Sequence, residues 1–133
     1  TLQPHLFEAF VSVLFKKQRY KTDLTSKSND KGADVVALKD NDNLLIQVKL
    51  WSNKLPPNVV GEIVKAKPYY EKVYKRPLTL CIATNNTLTQ QAMESAVENN
   101  IRIVEGNVIK QLLQQYEVSL NDIHDEEQNR KSL

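Results

Sequence analysis

Apolar residues recur at three- and four-residue intervals near the start of the chain. Leu6, Phe7, Phe10, Val11, Val13, Leu14 and Phe15 cover about half the circumference of a helix at roughly 100° per residue. The pattern predicts a helix from Pro4 to Lys17 with one buried face. Period two takes over at residues 19–25, with Tyr20, Thr22 and Leu24 on one side of a strand. Residues 26–32 are polar, and Asn29, Asp30 and Gly32 mark a turn. Two strands follow, ADVVALK at 33–39 and LLIQVKLW at 44–51. They are joined by Asp40, Asn41, Asp42 and Asn43, residue types that tolerate left-handed backbone, so the pair reads as a tight antiparallel hairpin. Pro56, Pro57 and Asn58 break the chain ahead of a helix over 59–76, which Pro68 is expected to interrupt or kink. The continuous apolar run LTLCIAT at 78–84 suits a strand buried on both faces. Thr87 or Thr89 can cap a helix running to Asn99. Residues 101–104 form a short strand, and 105–116 a closing helix. The order predicts an α/β sandwich with a mixed sheet. From about Glu117 the composition turns polar, so the expectation is one domain over 1–118 and a frayed tail or linker over 119–133.

With 133 residues, the chain is long enough for one domain with its own core. No apolar run approaches the roughly 18 residues of a membrane span, and no membrane partner is expected. The single cysteine, Cys81, excludes an intrachain disulfide and a cysteine-based zinc site; in the run at 78–84 it reads as a small hydrophobe. No apolar leader opens the sequence, so a cytoplasmic location is expected. The chain begins at Thr1, which reads as part of a larger protein with further domains. The net charge of +2 conceals a gradient, because residues 16–76 carry 14 Lys and Arg against 7 Asp and Glu. That imbalance suits a phosphate-rich partner, and it suits a solvated lysine-rich surface equally well.

The hairpin departs from a pure packing pattern. Alternation places Leu45, Gln47, Lys49 and Trp51 on one face of the second strand, with Gln47 and Lys49 roughly 7 Å apart. A short loop is expected to set Asp34 opposite Lys49 and Val36 opposite Gln47, at Cβ separations of about 5 Å. An Asp oxygen, an amide oxygen and a nearby backbone carbonyl are hard ligands suited to Mg²⁺. A lysine beside them can orient a water or neutralise a phosphate, as phosphodiester hydrolysis requires. Glu8, at the rim of the apolar arc of the first helix, could reach the end of the sheet. The same residues also suit structural roles. Asp34 could form an Asx turn, Lys49 a cross-strand ion pair, Gln47 an edge position, and Glu8 a favourable contact with the helix dipole. Lys31, Trp51 and Lys54 are candidates for contacting a nucleic-acid backbone, although Trp51 would be core beneath a covering helix. Tyr69, Tyr70 and Tyr74, interleaved with lysines, could stack on bases or form the inner face of an amphipathic helix.

The segment from Phe7 to Trp51 resembles the catalytic core of Mrr-like restriction endonucleases, within the PD-(D/E)xK nuclease superfamily. The likeness rests on the early Phe7-Glu8, Tyr20 at the next strand, the turn Asp30-x-Gly32-x-Asp34, and Gln47-x-Lys49. Thr89, Ala92, Ala96, Asn99 and Ile101 extend it, so that it covers roughly residues 5–116. The resemblance implies a restriction-endonuclease-like three-layer sandwich, a central mixed sheet of about five strands flanked by helices. It implies a metal-dependent DNA endonuclease, with restriction or defence against foreign DNA as its setting. Asp34 and Gln47 would hold Mg²⁺, for which Mn²⁺ can substitute, Lys49 would be the catalytic lysine, and Glu8 would complete the site. Gln47 replaces the usual acid, and Ala33 stands where the superfamily name has proline. Two alternatives share the fold. A Holliday-junction resolvase would require a homodimer presenting two sites, and a silent nucleic-acid-binding or protein-interaction module would have lost the metal.

Overall fold

A computed structural model describes residues 2–25 and 31–130. Five strands form one sheet in the order β1 (Lys21–Leu24), β2 (Val35–Leu38), β3 (Leu44–Lys49), β4 (Thr79–Thr84), β5 (Arg102–Val104). The first three strands run antiparallel and the last three parallel, so β3 sits at the junction. Parallel neighbours need crossovers, supplied by α2 (Asn58–Tyr74) and α3 (Gln90–Glu98). Both pack on one sheet face, with Leu45, Leu80 and Ile82 meeting Val59, Ile63, Ala66, Ala92 and Ala96. The other face, through Val35, Ile46, Val48 and Cys81, receives α1 (Pro4–Lys17), α4 (Gly106–Gln115) and α5 (Leu120–Gln128). The result is a three-layer α/β sandwich with a mixed sheet. No helix among the described residues is long and apolar enough to cross a membrane.

Local signals account for most boundaries. Pro4 opens α1, where its missing N–H is no loss. Thr89 Oγ1 accepts from Ala92 N at 3.1 Å, capping α3. Pro68 does not interrupt α2, because it faces solvent and the carbonyl it leaves unpaired can be hydrated.

Two further expectations are corrected. The β2–β3 pairs are Val35–Ile46, Val36–Leu45 and Ala37–Leu44, so Val36 faces Leu45 and not Gln47. The cause is the turn. Asp42 N donates to Lys39 O at 2.6 Å, Asp40 is left-handed at φ 45°, and the loop therefore spans 39–42. Regular pairing ends at Val35, so Asp34 is not set opposite Lys49 as expected. A shift of two leaves every side chain on its expected face. The second correction concerns residues 120–128, which form α5 in place of a frayed tail. Ser119 Oγ accepts from Asp122 N while Asp122 Oδ2 accepts from Ser119 N, both at 3.0 Å, which makes a capping box. Ile123 enters the core, and Glu126, 5% exposed, takes hydrogen bonds from Ser12, Thr22 and Lys16. This cover explains why α1 is buried continuously from Ala9 to Phe15, well beyond half its circumference.

Candidate active site

At the end of the sheet where β2 begins and β3 ends, the covering layers part around a cleft of about 410 Å³. Glu8, Asp34, Gln47 and Lys49 all line it, together with Trp51 and Glu62. Its elements come from both layers: β3 supplies Gln47 and Lys49, the N-terminal half of α1 supplies Glu8 from one side, and α2 supplies Glu62 from the other.

Asp34 stands where regular β2–β3 pairing stops. Its N–H donates to Ile46 O at 2.9 Å, and its Oδ2 accepts from Val48 N at 2.7 Å, so the carboxylate continues the ladder that the backbone leaves. Burial and the neighbouring Glu8 carboxylate push the Asp34 carboxyl up to about 7, against the Val48 N–H, Lys49 and Arg130, which favour its ionised form. Gln47 is 4% exposed, and its Oε1 has no hydrogen-bond partner among the described residues. A buried acceptor left unpaired costs about 1–3 kcal/mol, so it calls for a donor or a cation. Lys49 Nζ lies 3.5 Å from Glu62 Oε1 and 5.8 Å from the centroid of the Trp51 ring.

Gly32 frames the cleft. It has φ +90°, and a Cβ there would stand 2.9 Å from the Glu62 carbonyl oxygen, so glycine lets the chain pass against α2. Asp30, the first residue of the same turn motif, lies outside the described residues. Trp51 is partly buried against the α2 core cluster, with its N–H and C=O held by Asn85. Lys54 is exposed, and Lys31 places its ammonium 5.0 Å from the centroid of the exposed Tyr69 ring. Tyr70 is buried and Tyr74 bonds Asp23 at 2.8 Å, which assigns both to packing. Burial raises the Cys81 thiol to about 12, leaving it unreactive.

Sequence reasoning missed two charged neighbours. Glu62, on α2, carries no local signal that sets it apart from the other charged residues of that helix. Arg130 lay in the expected tail, yet its Nη1 donates to Glu8 Oε1 at 2.9 Å.

Among the described residues no three His, Cys, Asp or Glu side chains gather into a metal-binding group. The cleft offers the Asp34 carboxylate and the Gln47 amide oxygen side by side at the end of the sheet, with Glu8 and Glu62 on the walls, where Glu8 pairs with Arg130 and Glu62 with Lys49. Asp34 and Gln47 fit a hard, hydrated divalent cation in that Gln47 Oε1 is an unpaired acceptor and the charge on Asp34 is under-compensated.

The sheet order and its two helical layers define a restriction-endonuclease-like fold. The restriction endonuclease family of Mrr-type catalytic domains matches residues 1–113, and the chain belongs to this family of DNA endonuclease domains. Solved structures agree in fold. A protein of unknown function, AF1548, superposes with a TM-score of 0.72 at 18% identity, over 85% of this chain and 66% of that one. AspBHI, a DNA modification-dependent restriction endonuclease, gives 0.66 at 14% identity over 92% and 34%. The MspJI restriction endonuclease, in complex with a 27-mer oligonucleotide, gives 0.59 at 16% identity over 83% and 27%. The chain thus spans about a third or less of the two named endonucleases. Comparison with curated protein sequences gave no match.

Proposed function

We propose that this domain hydrolyses DNA phosphodiester bonds with the help of a divalent cation, Mg²⁺ or Mn²⁺, and acts in restriction or defence as the cutting module of a longer protein. The observation that carries the reading is the pairing of the unpaired Gln47 Oε1 with the under-compensated Asp34 carboxylate, beside Lys49, in a cleft open to solvent. Asp34 and Gln47 would hold the cation, which when bound polarises a phosphate oxygen and acidifies a coordinated water. Lys49 reaches the same cleft from β3 as a cation able to orient the attacking water or neutralise charge on the phosphate. Its contact with Glu62 at 3.5 Å is long for a hydrogen bond, so releasing it for substrate costs little. Glu8 adds a second carboxylate at the cleft wall. Lys31 and Lys54, both exposed, and Trp51 at the cleft are the proposed contacts for the DNA backbone.

The test is nicking and linearisation of supercoiled plasmid with Mg²⁺ or Mn²⁺. Wild type should cut, and Asp34→Ala, Lys49→Ala and a chelator should each reduce the rate by about 100-fold or more. Cutting that survives either substitution would refute the assignment.

A further inference from the structure

Arg130 follows α5 and lies beyond the segment matched by the family, residues 1–113, yet its guanidinium ends beside the cleft. Nη1 donates to Glu8 Oε1 at 2.9 Å and to the Thr25 carbonyl at 2.8 Å. Nη2 donates to the His5 carbonyl at 2.9 Å and to Glu127 Oε1 at 2.8 Å, and Nε also bonds Glu127. The side chain is 5% exposed. One rigid, planar and permanently charged fork therefore ties together the first turns of α1, the end of β1 and the end of α5. Its acceptors leave it a single orientation, and with it the Glu8 carboxylate is fixed at the cleft wall. The docking of α5 has a separate anchor in Glu126, bonded to Ser12, Thr22 and Lys16 on α1 and β1. The helix can thus stay in place when the Arg130 contact is altered.

We infer that Arg130 is a positioning residue of the active site: delivered by α5, it holds the Glu8 carboxylate in its working place. The inference rests on the nuclease reading, and its test separates the two. Single-turnover cleavage rates are measured across DNA concentrations for wild type, Lys49→Ala, Arg130→Gln, Arg130→Lys, Glu8→Gln, the Glu8→Gln/Arg130→Gln double variant and Asp122→Ala, each checked by thermal unfolding.

Arg130→Gln should slow cleavage at saturating DNA by about 10- to 100-fold, with the half-saturating DNA concentration changed by less than about twofold. Arg130→Lys should recover part of the rate, and the double variant should cut no more slowly than Glu8→Gln. Asp122→Ala removes the α5 capping box away from the cleft and should cut like wild type. The inference is overturned if Arg130→Gln cuts at the wild-type rate, if the losses multiply in the double variant, or if Asp122→Ala reproduces the defect. Should Arg130→Gln fail to fold, Arg130→Lys decides, since a wild-type rate there also overturns it. Absence of Lys49-dependent cleavage in wild type would overturn the nuclease reading and the inference with it. Lys49-dependent cleavage left intact by loss of Arg130 would overturn the inference alone.

Discussion

Two clusters of polar side chains are withdrawn from solvent in this domain, and they are built on opposite terms. Where α5 meets α1, Glu126 is buried but accepts from both the Ser12 and Thr22 hydroxyls and the Lys16 ammonium. In the cleft, Gln47 Oε1 has no partner among the described residues, and Asp34 stands near a second carboxylate, Glu8, with its own carboxyl raised to about 7. The first cluster is complete within the chain and reads as a fastener. The second is incomplete among the described residues, and that shortfall of partners is what supports the proposed cation site. Burial alone does not separate them; the state of their hydrogen-bond partners does.

This contrast predicts opposite effects on stability. Glu126→Ala should cost about 2–3 kcal/mol in urea unfolding, since it strips α5 of its main polar anchor. A cost within about 0.5 kcal/mol would show that the cluster is ornamental to the fold.

In the cleft the sign reverses. The Asp34 carboxyl sits at about 7 in the folded protein against an ordinary 3.8, so between those values the folded state binds the proton that the unfolded state releases. Stability of the chelator-treated protein should therefore fall as pH rises through that interval, by at most about 1.4 kcal/mol per pH unit, and level off above it. Asp34→Asn should flatten this dependence and equal or exceed wild type at pH 8. Parallel pH profiles would contradict the description of the cleft.

The smallest effect is expected at the solvent edge of the fastener. Lys17 Nζ is 3.5 Å from Asp122 Oδ2, with both side chains about a third or more exposed. Lys17→Ala should change unfolding by less than about 0.5 kcal/mol, and a larger loss would move weight from Glu126 to the surface pairs.

The contrast also explains what could be read from sequence. Among the described residues, period and punctuation located the five strands and the first four helices, because each carries its own apolar repeat or breaker, as in the Thr89 cap and the run at 78–84. The faces of β3 followed from alternation, but its register did not, because four Asp and Asn residues allow several turns and the Asp42–Lys39 closure selected one. The C-terminal helix escaped because polar bonds hold it and Ile123 is its only buried apolar residue. Its one local signal was the Ser119-x-x-Asp122 box. Asp34, Gln47, Lys49 and Glu8 could be nominated from residue type and spacing. Glu62 and Arg130 could not, since only the packing of α2 and α5 brings Glu62 into the cleft and Arg130 onto Glu8.

The most direct test of the incomplete-site account is Mn²⁺ binding by calorimetry at pH 8 to wild type, Asp34→Asn, Gln47→Leu and Glu126→Ala. Wild type should bind one ion per chain, with affinity weakened by about tenfold or more in each cleft variant and unchanged in Glu126→Ala. Absence of binding in wild type, or equal affinity in the cleft variants, would contradict it.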